Sequence, residues 1–260
     1  MRNSSRMANE ERAVSEIIGY ILIFALIITT VGFVSISGLP TFDSVRESEQ
    51  LQNAERAFDV LNSNMAEVHE RGAPSRATEL NAGDATVETG EPVTFNVSVK
   101  ENGDTVEYAE AEINPVVFSG LGETEFVYVA GAVIRDQPDR SLMLREPPFK
   151  LGEKRAAFTL VETFSDSRQS TGGGTVLVRA ASTSRSVAIA DTSTADSQYD
   201  EINITVSDSP RQDLWERYFE DELGMENCDS GAELSCQGDL DGEVKQTFVT
   251  VQEIEINLEI

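Results

Sequence analysis

From Ile17 to Ser37 the chain reads IIGYILIFALIITTVGFVSIS, 21 residues without a charge. As an α-helix this stretch is about 31 Å long, enough to cross the hydrocarbon core of a bilayer. Eleven of the 21 are Ile, Val or Thr, mediocre helix formers in water, but lipid leaves the backbone no hydrogen-bond partner outside its own helix. Gly38-Leu39-Pro40 then predicts a break. Beyond it apolar residues recur at Leu51, Ala54, Phe58, Leu61, Met65 and Val68, a single stripe at helical spacing. This amphipathic helix is expected to end near Gly72 to Pro74, with His69 on its charged side. Its stripe is expected to dock on the protein's own domain, with an intersubunit seam as the alternative.

Past about residue 84 the period shortens to that of strands, in runs such as PVTFNVSV, EFVYVAGAVI, AAFTLVETF, TVLVRA, EINITVS and, at the C-terminus, QTFVTVQEIEINLEI. Turn residues separate them, and Asn102-Gly103 is a hairpin signal. One segment, Ser209 to Leu223, returns to helical spacing and ends before Gly224; its Leu214, Trp215, Tyr218, Phe219 and Leu223 share a face expected to pack on the sheet. The predicted class is α+β: a long N-terminal helix, half membrane-spanning and half amphipathic, followed by a mostly antiparallel β-sandwich-like domain with one inserted helix. The boundaries are 1–13 for a polar leader, 14–40 for the apolar helix, 41–73 for the coupling helix and 84–260 for the head.

The formal charge is −26, and its placement matters. In the first 40 residues Arg2, Arg6 and Arg12 balance Glu10, Glu11 and Glu16, so all of the excess lies after Pro40. Such a surface repels phosphates, and nucleic-acid binding is disfavoured. Only Lys100, Lys150, Lys154 and Lys245 are lysines against sixteen arginines, a balance that looks like proteins of salt-accumulating haloarchaea, in which concentrated salt screens self-repulsion. Arginines precede the apolar stretch while Asp43, Arg46, Glu47 and Glu49 follow it, which predicts a cytoplasmic N-terminus and an extracellular head.

Three readings of the N-terminus compete. A secretory signal cut after Ser35-Ile36-Ser37 has too long an apolar stretch, and an uncleaved anchor gives no reason for the polar leader to end in Arg-Ala. The third is a class III signal, cut on the cytoplasmic side so that the apolar helix stays on the mature chain. Arg12-Ala13-Val14-Ser15-Glu16-Ile17-Ile18-Gly19 resembles the opening of archaeal type IV pilin precursors. The resemblance implies cleavage between Ala13 and Val14 by a prepilin peptidase, with Arg12, Ser15, Glu16 and Gly19 forming the helix opening. The chain departs from the commonest pattern in having Glu16 where Pro is frequent, and Ile18 in place of an acid at the fifth mature residue. The stretches INPVVFSG, GAVIRDQ, LMLREPPF and SPRQDLWERYF also look like those of haloarchaeal pilin-like proteins, a likeness that implies no activity.

Candidate chemistry is sparse. Cys228 and Cys236 have seven residues between them and no companion set for zinc; they form a disulfide if outside the cell and two thiols if inside. His69 is the sole histidine, too isolated for a nucleophilic triad. Gly172-Gly173-Gly174 lacks the ending of a phosphate loop and reads as a flexible turn. Asp239, Asp241 and Glu243 alternate like half of a small Ca²⁺ loop and are the only metal candidate. Asn96-Val97-Ser98 and Asn203-Ile204-Thr205 are N-glycosylation sequons in predicted strands. No catalytic residue and no cofactor is expected. The expected function is that of a pilin-like surface subunit, minor or accessory given its large head, with the membrane, a prepilin peptidase and other pilin subunits or a surface ligand as partners. The alternative is a non-polymerising, single-pass adhesion protein.

Overall fold

A computed structural model describes residues 4–152, 154–191, 199–240 and 246–260. The chain divides into two units, Met1–Gln50 and Leu51–Ile260. One helix, α1 (Ser4–His69), runs through both without interruption. The predicted stop at Gly38-Leu39-Pro40 is therefore overridden. Passing through Pro40 removes one backbone hydrogen bond, whereas splitting the helix would leave four more carbonyls and four more N–H groups without partners. The helix ends on the expected signal: Gly72 has a φ of +71°, and the Ala73 N–H donates back to the Glu67 carbonyl at 3.0 Å, a glycine-dependent terminator.

The second unit is β-rich. Its strands are β1 (Ser75–Thr89), β2 (Val93–Glu101), β3 (Asp104–Ile113), β4 (Val116–Leu121), β5 (Thr124–Val129), β6 (Ala132–Gln137) and β7 (Arg140–Arg145), then β8 (Phe149–Gly152), β9 (Arg155–Phe164), β10 (Ser170–Asp191) and β11 (Glu201–Ser207). After helix α2 (Gln212–Asp221) come β12 (Glu226–Ser230), β13 (Leu234–Asp239) and β14 (Gln246–Glu259). They form a nine-stranded sheet in the order β7-β6-β5-β4-β1-β10-β14-β9-β8 and a five-stranded sheet in the order β12-β13-β11-β2-β3. Pairing is antiparallel except between β9 and β14. The C-terminal strand sits inside the large sheet, between β10 and β9, so an apolar-helix-plus-antiparallel-β reading of the sequence holds at that level.

The large sheet has apolar cover on both faces. On one, Val127, Val129, Ile134 and Phe158 share a cluster with Phe95, Val97 and Ile204 of the small sheet and with Trp215 and Phe219 of α2. On the other, Phe118, Phe126, Tyr128 and Val133 cluster with Ala54, Phe58, Leu61, Met65 and Val68 of α1. Burial on both faces is why EFVYVAGAVI is apolar nearly throughout, where a strand with one wet face would alternate. Trp215 meets Phe95 edge-on with centroids 5.0 Å apart, so the aromatic stripe of α2 is core, as its spacing predicts.

Two local expectations change. Strand β1 begins at Ser75 instead of near residue 84, because its buried positions include Ala82 and Ala85, small residues that dilute the alternation. Gly172-Gly173-Gly174 is not a turn but an irregular stretch inside β10, where the pairing with β1 shifts register around Gly83. A Cβ on Gly172 would lie 2.5 Å from the Ala85 carbonyl oxygen, so only glycine permits that approach. By contrast, Asn102 and Gly103 form the two-residue β2–β3 turn with φ of 52° and 86°, as the dipeptide predicts.

Candidate functional site

The apolar part of α1 defines the first candidate element. Ile17–Ser35 has a mean hydropathy of 2.6 and none of it is buried; Tyr20, Leu26 and Phe33 are 73, 68 and 71% exposed. Two hydroxyls within the stretch are satisfied by the helix itself: that of Thr29 donates to the Ala25 carbonyl at 2.7 Å and that of Thr30 to the Leu26 carbonyl at 2.8 Å. Every hydroxyl so closed removes a penalty for entering hydrocarbon. Gly19 has open space where a side chain would stand. The Ala13–Val14 bond lies within α1, and the side chains of Arg12, Ala13, Val14, Ser15 and Glu16 lie outside the described ones.

The second element is the docked end of the same helix. Phe58 packs tilted on Phe126 at 5.9 Å and edge-on against Phe118 at 6.4 Å. Polar flanks tie the helix down on both sides: Arg145 reaches Asp59 at 3.0 Å and Asn64 donates to the Thr78 hydroxyl at 2.8 Å. The Arg145–Asp59 pair is solvent-accessible and contributes little, whereas Thr78 is buried; the aromatic contacts dominate.

His69 does not lie on a charged, wet face. It is 5% exposed, with a buried Nδ1 that has no hydrogen-bond partner. Burial holds its pKa below the ordinary imidazole value; the nearby Glu70 carboxylate opposes this and Arg185 reinforces it. Helical spacing from Val68 places it beside the stripe, and with Pro148 and Tyr218 it lines a hollow at the end of α1, a neighbourhood that periodicity alone does not reveal.

The remaining sequence candidates are scattered over the second unit. Cys228 and Cys236 are joined as a disulfide linking β12 and β13, at a point where that pairing shifts register. Asn96 and Asn203 are half-buried on neighbouring strands of the small sheet. Thr205 stands opposite Asn96 and Ser98 opposite Asn203, so each sequon's hydroxyl residue faces the other's asparagine. Asp239 closes β13 opposite Glu201; Asp241 and Glu243 lie outside the described residues.

Sequence reasoning missed a groove along α2. A hollow of about 1010 Å³ opens where the N-terminal end of α2 meets the β6–β7 turn, and one of about 340 Å³ continues between α2 and β7. Arg140, Ser141, Leu214 and Arg217 line both. Arg211, with a side chain only 12% exposed, anchors the helix start through Glu125 at 3.1 Å and Asp136 at 2.7 Å. No periodic signal could have found this feature, since it arises where an edge strand and a helix from distant parts of the chain meet.

These features define a class: a chain with one N-terminal helix long and apolar enough to cross a membrane, followed by a mostly antiparallel β-rich domain. The model of a family of unknown function, DUF7289, matches residues 12–257, and the chain belongs to that family. No curated protein and no solved structure matches it.

Proposed function

We propose that the protein is a pilin-like cell-surface subunit, minor or accessory, anchored by α1 with its N-terminus in the cytoplasm and its β-rich head outside. The observation that carries this reading is the pairing of two demands on one helix: Ile17–Ser35 is charge-free and has no buried residue, while Leu51–Val68 is a stripe packed on the head's own sheet. An apolar segment that finds no cover in its own chain needs lipid or other helices.

Two further features support the reading. The family match begins at Arg12, so the Arg12-Ala13-Val14-Ser15-Glu16 opening falls within the shared region. A disulfide between Cys228 and Cys236 suits an oxidising exterior. The head is read as a sandwich-like pair of sheets backed by the helix, and cleavage between Ala13 and Val14 would leave the apolar segment at the mature N-terminus, free to pack against its counterparts.

The second reading, a single-pass adhesion protein that never polymerises, uses the same anchor and head. It is favoured by the large head, 210 residues in the second unit. Fractionation tests the shared part: the full chain is expected in the membrane pellet after alkaline extraction, and a chain starting at Leu51 in the supernatant. A soluble full chain overturns both. Electron microscopy of deletion cells separates them, because loss or shortening of surface filaments supports a subunit and unchanged filaments leave the anchored binder.

A further inference from the structure

The hollow at the end of α1 has a volume of about 690 Å³, within the range of roughly 300–1,000 Å³ in which small molecules bind. Four parts of the second unit wall it: the last turns of α1, the 146–148 connection, the β8–β9 hairpin and the end of α2.

The hairpin makes one wall cationic, since Lys150, Lys154 and Arg155 all meet the hollow. In a chain of net charge −26 with four lysines, two of the four stand here. Among the described residues the lysine held in an ion pair is Lys100, by Glu201 at 2.6 Å, so the charges of Lys150 and Lys154 are uncompensated. Arg155 rests on a neutral acceptor, the Gln246 amide oxygen, at 2.8 Å. Cations left unpaired on so acidic a surface favour an anion.

The other polar groups suit hydroxyls. Glu146 and Glu222 line the hollow, and both carboxylates reinforce burial in raising the Tyr218 phenol above its ordinary pKa. The phenol therefore stays a neutral O–H donor. His69 supplies a second donor. Its Nδ1 is shut off from solvent and from partners, and a buried acceptor without a partner is tolerated better than a buried N–H. That puts the proton of the neutral ring on Nε2, the nitrogen left to meet the hollow. Pro148 and Leu151 add apolar surface. A simple anion would be repelled by Glu146 and Glu222, and a neutral ligand would leave the hairpin cations without a partner. A ligand that joins a carboxylate to a ring of hydroxyls answers both, because carboxylates accept from hydroxyls.

We propose that this hollow binds a carboxylated sugar, a hexuronate unit, with its carboxylate on Lys150 and Lys154 and its hydroxyls among Glu146, Glu222, Tyr218 and His69. The less polar face of the sugar ring rests on Pro148 and Leu151. Every residue used lies in the second unit, so the proposal stands apart from the anchoring and processing of α1.

The test is calorimetric titration of the full chain in detergent micelles with methyl glucuronide, methyl glucoside, sodium acetate and glycine betaine. Methyl glucuronide is expected to saturate one site. The glucoside, with a hydroxymethyl group in place of the carboxylate, should bind at least about tenfold more weakly, the loss of one charge-assisted hydrogen bond. Acetate has the charge without the ring and should give no saturable heat. Lys150→Gln combined with Lys154→Gln, both exposed positions, should bring the glucuronide down to the glucoside's affinity and leave the glucoside unchanged. Tyr218→Phe keeps the ring and should weaken both sugars alike. Equal binding of the two sugars, or unchanged glucuronide binding by the double lysine variant, overturns the proposal. Absence of saturable binding, or saturable binding of acetate or of the zwitterionic betaine in place of the sugar, overturns it as well. If the lysine variant fails to fold, the comparison of the two sugars on the unaltered chain decides.

Discussion

Phe58 of α1 lies 5.9 Å from Phe126 of β5, and with Phe118 the three rings close the cluster that fastens the helix to the large sheet. Phe58 is fully buried, so its removal leaves a cavity that flanking residues fill only in part. Phe58→Ala should lower stability by about 3–5 kcal/mol, read from the guanidinium midpoint at unchanged slope. A loss below about 1 kcal/mol would show that the stripe is not seated as described.

His69 makes the docked end of α1 sensitive to mild acid. Its pKa is depressed in the fold by burial, so the unfolded chain binds the proton more tightly. The stability contributed by the neutral imidazole is full above the ordinary value of 6.5 and is lost as pH falls through the depressed one. Thermal melts from pH 7 to 5 should decline, and His69→Gln should flatten that decline. An identical slope in the variant would assign the acid sensitivity elsewhere.

Glu162 behaves oppositely. Burial raises its pKa, and so do Glu253, its register partner across the parallel β9–β14 pair, and Glu112; a backbone hydrogen bond from Glu112 partly offsets them. The folded state therefore favours the protonated acid, and the stability this contributes is present at low pH and lost as pH rises through the raised value. Glu162→Gln should raise the Tm at pH 7 by about 1–2 °C, since solvent screening keeps the effect small. The gain should vanish near pH 4; a variant less stable at pH 7 would contradict this.

Asn203 stands opposite Ser98 on β2, with a buried Oδ1 that accepts no hydrogen bond. Asparagine is also a poor strand residue. Asn203→Thr should stabilise the head by about 0.5–1 kcal/mol while abolishing that sequon. Intact mass of the surface protein then reports directly on modification: a loss equal to one glycan assigns Asn203 as an acceptor, and an unchanged glycan mass excludes it.

Much of this architecture was readable from periodicity. The stripe from Leu51 to Val68, the alternating Val93-Phe95-Val97-Val99 run and the aromatic face of α2 each name a buried side, because a single period fixes which residues turn inward. Failures came where tertiary context outweighs local preference. Pro40 stops a helix only if ending it costs less than losing one bond. The strand from Ser75 hides behind alanines, and Gly172 is legible as a close approach only once Ala85 is known to lie across from it. His69 is buried beside a hollow it shares with Pro148 and Tyr218, residues far from it in the chain. The groove beside β7, and the parallel pairing of β9 with β14, depend on residues about 70 to 90 positions apart in sequence, which no local pattern encodes.

The central claim concerns the N-terminus, where Arg12 to Gly19 leads into a segment with no cover of its own. N-terminal sequencing of the membrane-associated protein tests it most directly. A mature chain beginning at Val14 is the predicted result, with Ile17–Ser35 retained as anchor or filament core. A chain beginning at Met1 or Met7 would contradict prepilin-type processing, and one beginning at Gly38 would contradict anchoring itself.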